Sequence, residues 1–459
     1  MIKKLDKEDF LKCFSKSFYD KILKESLLSF KKNVTKTEAK DRIYKAYLKL
    51  INFDYSVGTP TEYIYLLKNE YVARIIPDFQ IEDEGIYFFL TKQIESDIAI
   101  NRIPGTFGGW KLGNSIKKEE DDELQYVFNS YNPWLWTKNW KEYQKYIRTN
   151  LEKYNYKYAL KLDIANFYDS INIEILEKKL YKSCSKHNFD YVELIIYILK
   201  YWNKKFNKYG ENLVGIPQNE FGDQSRLLAN LYLNKYDEKM YEICHDNNCI
   251  YTRYADDQVI LFDSEEQINN IMYVANSELR KLGLNINTGK TIKFSKKEII
   301  NYYLFSPLEK LEIKKYNDAV YEFFDIVDKS NGIKNVRSDT FFKRCLSIGL
   351  SNFNNENRNK ILSYIMKKEF IIQLNVDFIF KIYKNLYREE QFKFVNDLIN
   401  YFNTVKFNGY HYTIINFLKK YKLNDKYEYC IEKVEGLNVS IWRNKIRIYW
   451  WCRFRNNSW

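Results

Sequence analysis

Tyr251-Thr252-Arg253-Tyr254-Ala255-Asp256-Asp257-Gln258-Val259-Ile260-Leu261-Phe262 sets two adjacent carboxylates between two short runs rich in aromatic and β-branched residues. Runs of that kind, broken at the acids, predict a β-hairpin with Asp256 and Asp257 at its turn. A carboxylate pair fixed on a tight turn suits Mg²⁺, which takes oxygen ligands and usually binds through one or two carboxylates plus substrate phosphates. Alone, an Asp-Asp dipeptide describes a solvated surface turn, so the reading depends on its surroundings.

Two upstream stretches supply them. Tyr158-Ala159-Leu160-Lys161-Leu162-Asp163 alternates apolar residues up to an aspartate, as a strand does, and Ile164-Ala165-Asn166-Phe167-Tyr168-Asp169-Ser170-Ile171 then turns into a helical pattern. Gly215-Ile216-Pro217-Gln218 opens a long helical pattern containing Ser225-Arg226-Leu227-Leu228-Ala229-Asn230-Leu231-Tyr232-Leu233. In this order the set resembles the palm of reverse transcriptases: motif A ends on Asp163, motif B spans Gly215 to Leu233, and motif C is Tyr254-Ala255-Asp256-Asp257. Leu282-Gly283-Leu284-Asn285-Ile286-Asn287-Thr288-Gly289-Lys290-Thr291 resembles motif D.

The resemblance implies an RNA-directed DNA polymerase that joins dNTPs with two Mg²⁺ ions, for which Mn²⁺ can substitute. Such ions make the primer hydroxyl nucleophilic and clamp the attacking and leaving oxygens. It assigns the metals to Asp163 and Asp256, with the Ile164 carbonyl as an extra ligand and Asp257 as a supporting carboxylate. Tyr168 takes the place of the aromatic gate that crowds a 2′-hydroxyl and so favours deoxynucleotides. Gln218 corresponds to the motif B glutamine lining the nucleotide site, Gly215 and Pro217 shape its turn, and Lys290 corresponds to the lysine that gives a proton to pyrophosphate. Arg74, in Tyr71-Val72-Ala73-Arg74-Ile75-Ile76-Pro77-Asp78, would contact the triphosphate, where a planar guanidinium donates two hydrogen bonds at once. Lys68 is a second candidate. Asn219-Glu220-Phe221-Gly222-Asp223 departs from the usual short glycine-rich link of motif B, and Tyr302-Tyr303-Leu304-Phe305 is the nearest match to a primer grip.

Composition agrees with a polyanionic partner. The 459 residues carry a formal net charge of +13, and 41 tyrosines with 31 phenylalanines offer rings for unpaired bases; a compositional bias towards Tyr, Lys, Asn and Ile explains the rings equally well. Seven cysteines without paired spacing exclude a disulfide framework and place the chain in a reducing cytoplasm. Cys244-His245 with Cys249 lacks the second pair that a zinc site requires. There is no signal-peptide pattern at Met1 to Lys7 and no apolar run of membrane-spanning length, so no membrane partner is expected.

The expected fold is α+β: a right-hand polymerase with fingers, a palm built on a small antiparallel sheet, and an α-helical thumb followed by a helical, HEAT-like or irregular, C-terminal domain. The segments are 1–59, an N-terminal helical extension; 60–150, fingers; 151–300, palm with motifs A to D; and 301–459, thumb and C-terminal domain. Gly105-Thr106-Phe107-Gly108-Gly109-Trp110 is either a loop approaching template or primer backbone or a plain turn. Glu119-Glu120-Asp121-Asp122-Glu123 reads as a solvated loop, and the tail Ile441 to Arg455 as a nucleic-acid surface or an edge strand. Neither a ribonuclease H-like constellation, nor the Val-Thr-Gly motif of retron enzymes, nor a His-Asn-His endonuclease is present. What remains resembles the bacterial defence-associated, abortive-infection reverse transcriptases. That resemblance implies antiviral activity, a structured noncoding RNA as template or partner, a DNA product, and room for a partner protein or homo-oligomer. A group II intron-derived or CRISPR-associated enzyme, a template-independent or protein-primed DNA polymerase, and a catalytically idle RNA-binding scaffold are the alternatives.

Overall fold

The computed structural model describes residues 34–60, 62–110, 135–206, 213–218, 224–330 and 335–437, with the stretches 4–14, 18–20 and 22–23 and residues 2, 112 and 332. The acidic run at 119–123, the motif B link at 219–223 and the aromatic and basic tail at 441–455 lie outside the described residues.

Among the described residues the strands are β1 (Glu62–Leu67), β2 (Ala73–Asp78), β3 (Thr106–Phe107), β4 (Tyr158–Asp163), β5 (Ile250–Tyr254), β6 (Asp257–Phe262) and β7 (Ile292–Ser295). β1 and β2 form a hairpin of their own, while the other five make one sheet in the order β3-β5-β6-β4-β7. Its pairings are antiparallel except β3 on β5. Successive side chains of a strand point to opposite faces, and here both faces are covered. Leu160, Leu162, Ile260 and Phe262 enter one core, whereas Ala159, Val259 and Leu261 enter another. Lys161, Asp163 and Asp257 therefore fall on the second face.

Before the palm come α1 (Lys7–Lys12), α2 (Lys36–Ile51), α3 (Ile81–Gln93) and α4 (Glu95–Ala99), followed by α5 (Leu135–Lys153). The palm helices are α6 (Phe167–Ser170), α7 (Ile173–Ser183), α8 (Phe189–Phe206), α9 (Gln224–Asp246), α10 (Glu265–Lys281) and α11 (Lys296–Tyr302). The motif B helix α9 is buried at every position from Leu227 to Asn234, because the sheet lies on one side and α3, α7 and α10 pack around it. α10 starts on a capping box between Ser264 and Gln267 and ends before Gly283, whose φ of +70° is the left-handed stop its sequence predicts.

Three expectations change. The 150/151 boundary cuts through a helix of the palm: Tyr143, Ile147 and Leu151 of α5 share a core with Val259, Leu261 and Tyr303. The glycine-rich loop, read as an approach to nucleic-acid backbone or a plain turn, packs against the Asp256 hairpin. The Gly105 carbonyl accepts from the Arg253 N–H (3.0 Å) and the Thr252 hydroxyl (2.7 Å), and Thr106 and Phe107 become β3. The primer-grip candidate is core, with Tyr303 and Leu304 fully buried.

Among the described residues from Phe305 onward the elements are helical: α12 (Phe305–Glu312), α13 (Tyr316–Lys329), α14 (Ser338–Ile348), α15 (Asn355–Ile365), α16 (Lys368–Ile371), α17 (Val376–Asn385), α18 (Arg388–Thr404), α19 (Asn408–Lys420) and α20 (Asn424–Leu437), with a 3₁₀ turn at Leu350–Asn352. They enclose a core that includes Phe323, Phe341, Phe342, Phe394 and Phe417. Lengths from 4 to 17 residues give them no regular repeat. Leu67 and Ala73 of the β1–β2 hairpin belong to this same core, which joins fingers to C-terminal helices. The architecture is the expected α+β polymerase fold.

Gly109 has a φ of +66°, and a Cβ there would stand 2.6 Å from the Arg226 Cβ on α9. Gly109→Ala is expected to cost about 1–3 kcal/mol through backbone strain and the displaced helix contact. A lowered thermal midpoint checks this, and an unchanged one contradicts it.

Candidate active site

The β4–β6 register sets Asp163 opposite Asp257, and Tyr254 opposite Asp257 closes the β5–β6 hairpin. Ala255 and Asp256 are left as a two-residue turn. Ala255 adopts φ +54°, which the tight turns of twisted hairpins require and which is costly for a residue with a Cβ. The three carboxylates thus meet at one end of the sheet, two on its ladder and one on the turn.

Each has its own surroundings. Asp163, buried, accepts from the Asn287 side-chain amide (3.0 Å) and the Lys290 ammonium (3.3 Å), while its carbonyl accepts from the Asn287 N–H (2.8 Å). Asp257 accepts from Lys161 at 2.8 Å. Burial alone would lower the pKa of Lys161, but Asp257, with Tyr302 and Asp163, more than offsets it and the ammonium is held charged. Asp256, on the turn, is pushed well above the usual carboxylate range, first by its enclosed surroundings and then by the charges of Asp257 and Asp163, with Lys290 acting in the opposite direction. Three like charges in one place disfavour ionisation unless cations balance them.

Among the described residues, no three His, Cys, Asp or Glu side chains form a ready-made metal cage. The donor set still fits Mg²⁺: it is all oxygen, it is electrostatically crowded enough to gain from a dication, and Mg²⁺ characteristically takes one or two carboxylates with substrate phosphates rather than an all-protein shell. Ile164 bridges Ile286, and the bonds flanking that bridge use the Asp163 carbonyl and the Ala165 N–H, not the Ile164 carbonyl.

Beneath the turn lies a buried ion pair. Arg253 and Asp237 are both completely buried, and the guanidinium donates to the two Asp237 oxygens at 2.8 and 2.5 Å. Its remaining nitrogen donates to the Asn230 side-chain oxygen (2.9 Å) and to the Ala255 carbonyl (2.8 Å). Tyr251 adds a hydrogen bond to Asp237 at 2.8 Å, and Asn230 donates to the Gly108 carbonyl at 2.7 Å. The left-handed residue next to Asp256 is thereby fastened to the motif B helix and to the glycine loop.

The motif B entry pairs with the chain just after motif A. Ile216 N–H donates to the Tyr168 carbonyl (3.0 Å) and Gly215 N–H to the Ile171 carbonyl (2.8 Å). Gly215 has φ +99°, and a Cβ there would lie 3.3 Å from the Asp169 carbonyl. Pro217 and Gln218 follow, half-buried, and the Tyr168 ring is buried beside Phe167. Lys68 and Arg74 also belong here. Burial raises the Asp169 carboxyl, and the charges of these two residues pull it back. Burial, Arg74 and Lys290 lower the Lys68 ammonium, while Asp256 and Asp169 support it. Asp163, Ile164, Tyr168, Gly215, Asp256, Asp257, Lys290, Lys68 and Arg74 therefore lie on elements that meet at this end of the sheet.

Residues not singled out complete the arrangement. Lys161 was detectable as a lysine two positions before Asp163 on a strand with both faces covered, and Asn287 as a polar residue three before Lys290. Asp237, Asn230 and Asp169 gave no signal, because nothing in the sequence says which face of a helix meets Arg253 or the fingers.

The fold is that of a right-hand polymerase palm. Residues 114–305 match the family model described as "Reverse transcriptase (RNA-dependent DNA polymerase)". A bacterial relative, the Retron Ec83 reverse transcriptase of Escherichia coli, is 30% identical over 115 residues, covering 24% of this chain and 33% of the relative. The chain thus matches about a third of that relative's length. It does so although the Val-Thr-Gly motif is missing. Among solved structures, apo telomerase from Candida tropicalis truncated from its C-terminal domain aligns at 12% identity and a TM-score of 0.33, over 55% of this chain and 54% of that one. Telomerase from Candida albicans with a TWJ fragment of telomeric RNA aligns at 11% and 0.32, over 90% and 70%. Likeness at that level carries no conclusion here. No described helix is long and apolar enough to cross a membrane.

Asp237→Ala leaves the Arg253 charge buried without its partner and is expected to cost about 3–5 kcal/mol, whereas replacing both residues, Arg253→Met with Asp237→Leu, should recover most of that loss. Denaturation of the two variants checks this. Equal stability of the single variant and the wild type would contradict it.

Proposed function

We propose that the chain is an RNA-directed DNA polymerase whose site residues act as a nucleotidyl-transfer centre. The observation that carries this reading is the β4–β6 register, which brings Asp163 beside the Asp256–Asp257 turn while motif B and motif D residues close in from two other elements.

Asp163 and Asp256 hold Mg²⁺, or Mn²⁺ in its place, with Asp257 in support and the Ile164 carbonyl available nearby. Two such ions would lower the pKa of the primer 3′-hydroxyl and offset charge on the phosphate and the leaving pyrophosphate. The protein's own groups do the rest. Lys161 pairs with Asp257 and holds it along the ladder. Lys290, on Asp163 in this structure, stands where an ammonium stabilises developing phosphate charge and can pass a proton to the leaving oxygen. Arg74 and Lys68 receive the triphosphate, the Arg74 fork matching two phosphate oxygens at once. Tyr168 forms the floor of the sugar site, and Gly215, Pro217 and Gln218 its side.

The template is read as RNA and the product as DNA. A bacterial relative named as a retron reverse transcriptase supports a structured noncoding RNA as template or partner and a place in antiphage defence. A partner protein or a second copy of the chain is compatible with the exposed rings Tyr321, Tyr387 and Phe392 on the C-terminal helices.

Purified protein, with co-purified nucleic acid retained, is expected to incorporate labelled dNTPs but not rNTPs when Mg²⁺ is added, and Asp256→Ala/Asp257→Ala to abolish incorporation. Sequencing the product identifies the template. Metal-dependent rNTP incorporation by the wild type, or dNTP incorporation surviving in the double variant, overturns the reading. Tyr168→Ala should relax discrimination against rNTPs by about tenfold or more, measured as the ratio of kcat/KM values, because the variant loses only a steric barrier.

A further inference from the structure

The hairpin carrying Lys68 and Arg74 is gripped by a helix more than three hundred residues away in the chain. β2 occupies one edge of β1. On the other edge, the N–H and C=O groups of Tyr63 and Tyr65 point outward, and α19 begins there. The Asn408 side chain acts as a short piece of a neighbouring strand: its oxygen accepts from the Tyr65 N–H at 2.8 Å and its amide donates to the Tyr63 carbonyl at 2.9 Å. Gly409 follows, and a Cβ there would stand 2.5 Å from the Tyr65 carbonyl oxygen, so only glycine lets the helix approach this closely. One turn further along, the Tyr412 ring packs on Ile64 and Ile76 and its hydroxyl donates to Glu62 at 2.9 Å. At the other end of the hairpin Leu67 and Ala73 are built into the C-terminal core.

These contacts do different work. Leu67, Ala73 and Tyr412 bury apolar area, which is non-directional. The two Asn408 bonds fix β1 along its own axis, because they address one N–H and one carbonyl. Leu66 on β1 is the register partner of Arg74 on β2, next to the very residue Asn408 holds. A shift of β1 is therefore a shift of Arg74.

We propose that the C-terminal helical domain takes part in nucleotide binding by holding the β1–β2 hairpin in place, with Asn408, Gly409 and Tyr412 as positioning residues for Arg74 and Lys68. The nucleotide half of this proposal rests on the reading of the site as a nucleotidyl-transfer centre. The clamp itself rests on the contacts alone. The domain then completes a closed circuit from fingers through palm and thumb back to fingers, so that the triphosphate contacts depend on the far end of the chain.

Asn408→Ala in the full chain tests both halves. Hydrogen exchange of the β1 amides around Tyr65 is expected to speed up by about fivefold to thirtyfold, the effect of losing one to both of the Asn408 hydrogen bonds, while the amides of β4 and β6 stay as in the wild type. The KM for dNTP should rise by about tenfold with kcat little changed, as when binding common to ground and transition states is removed. In an Arg74→Ala background, Asn408→Ala should add less than about twofold to KM, since a residue acting through Arg74 has nothing left to position. Unchanged exchange at β1 removes the clamp. Faster exchange with an unchanged KM, or an effect on KM that multiplies in full with that of Arg74→Ala, reduces Asn408 to a structural contact and overturns the proposal. A wild-type protein that incorporates no nucleotide removes the nucleotide half together with the reading of the site, and the exchange result then still decides the clamp.

Discussion

Asp163 faces Asp257 across the β4–β6 ladder, and both carboxylates lie on the sheet face that also carries Lys161. Side chains alternate along a strand, so a slip of one residue would send Asp163 to the opposite face and bring Leu162 or Ile164 to the site. The apolar residues prevent that slip. Leu160, Leu162, Ile260 and Phe262 are buried on one side and Ala159, Val259 and Leu261 on the other, and the larger residues would meet the wrong core. The packing that stabilises the sheet is thus what brings together carboxylates that are far apart in sequence.

A cluster of acids needs cations, and here four come from three parts of the chain. Lys161 is on the same strand as Asp163, Lys290 follows β4's partner loop, and Lys68 and Arg74 come from the fingers hairpin. Buried charges are costly unless paired, which accounts for the contacts of Asp163 and Asp257 in this structure. Asp256 has the least compensation and its carboxyl is raised accordingly. The turn that carries it is fixed from below: Arg253, fully buried and paired with Asp237, donates to the Ala255 carbonyl. The Asp256 hairpin, the motif B helix and the glycine loop are therefore fastened to one another, whereas the β1–β2 hairpin is attached through the C-terminal helices.

Much of this was legible in the sequence, for local reasons. Alternation gave β4, the aromatic and β-branched runs gave β5 and β6 with the turn at the two acids, Gly283 gave the end of α10, and the order of motifs gave the palm. Contacts between distant segments were not legible. No local signal says that α5 lies under the palm sheet, since its amphipathic pattern is satisfied by any apolar partner. Nor does a glycine cluster reveal what approaches it within the chain: Gly105, Gly108 and Gly109 lie against Arg253, Tyr254 and Arg226. Asp237 and Asn408 look like ordinary surface polar residues until the fold sets one against a buried arginine and the other against a strand edge.

The central claim is that Asp163 and Asp256 work as one unit assembled by strand register. Single-turnover incorporation of a dNTP, compared among the wild type, Asp163→Asn, Asp256→Asn and the double variant, tests it most directly. If the two carboxylates act together, each single variant loses nearly as much as the double, because groups that act as a unit are strongly non-additive. A single variant that keeps most of the wild-type rate, or losses that multiply as for independent sites, would contradict the account.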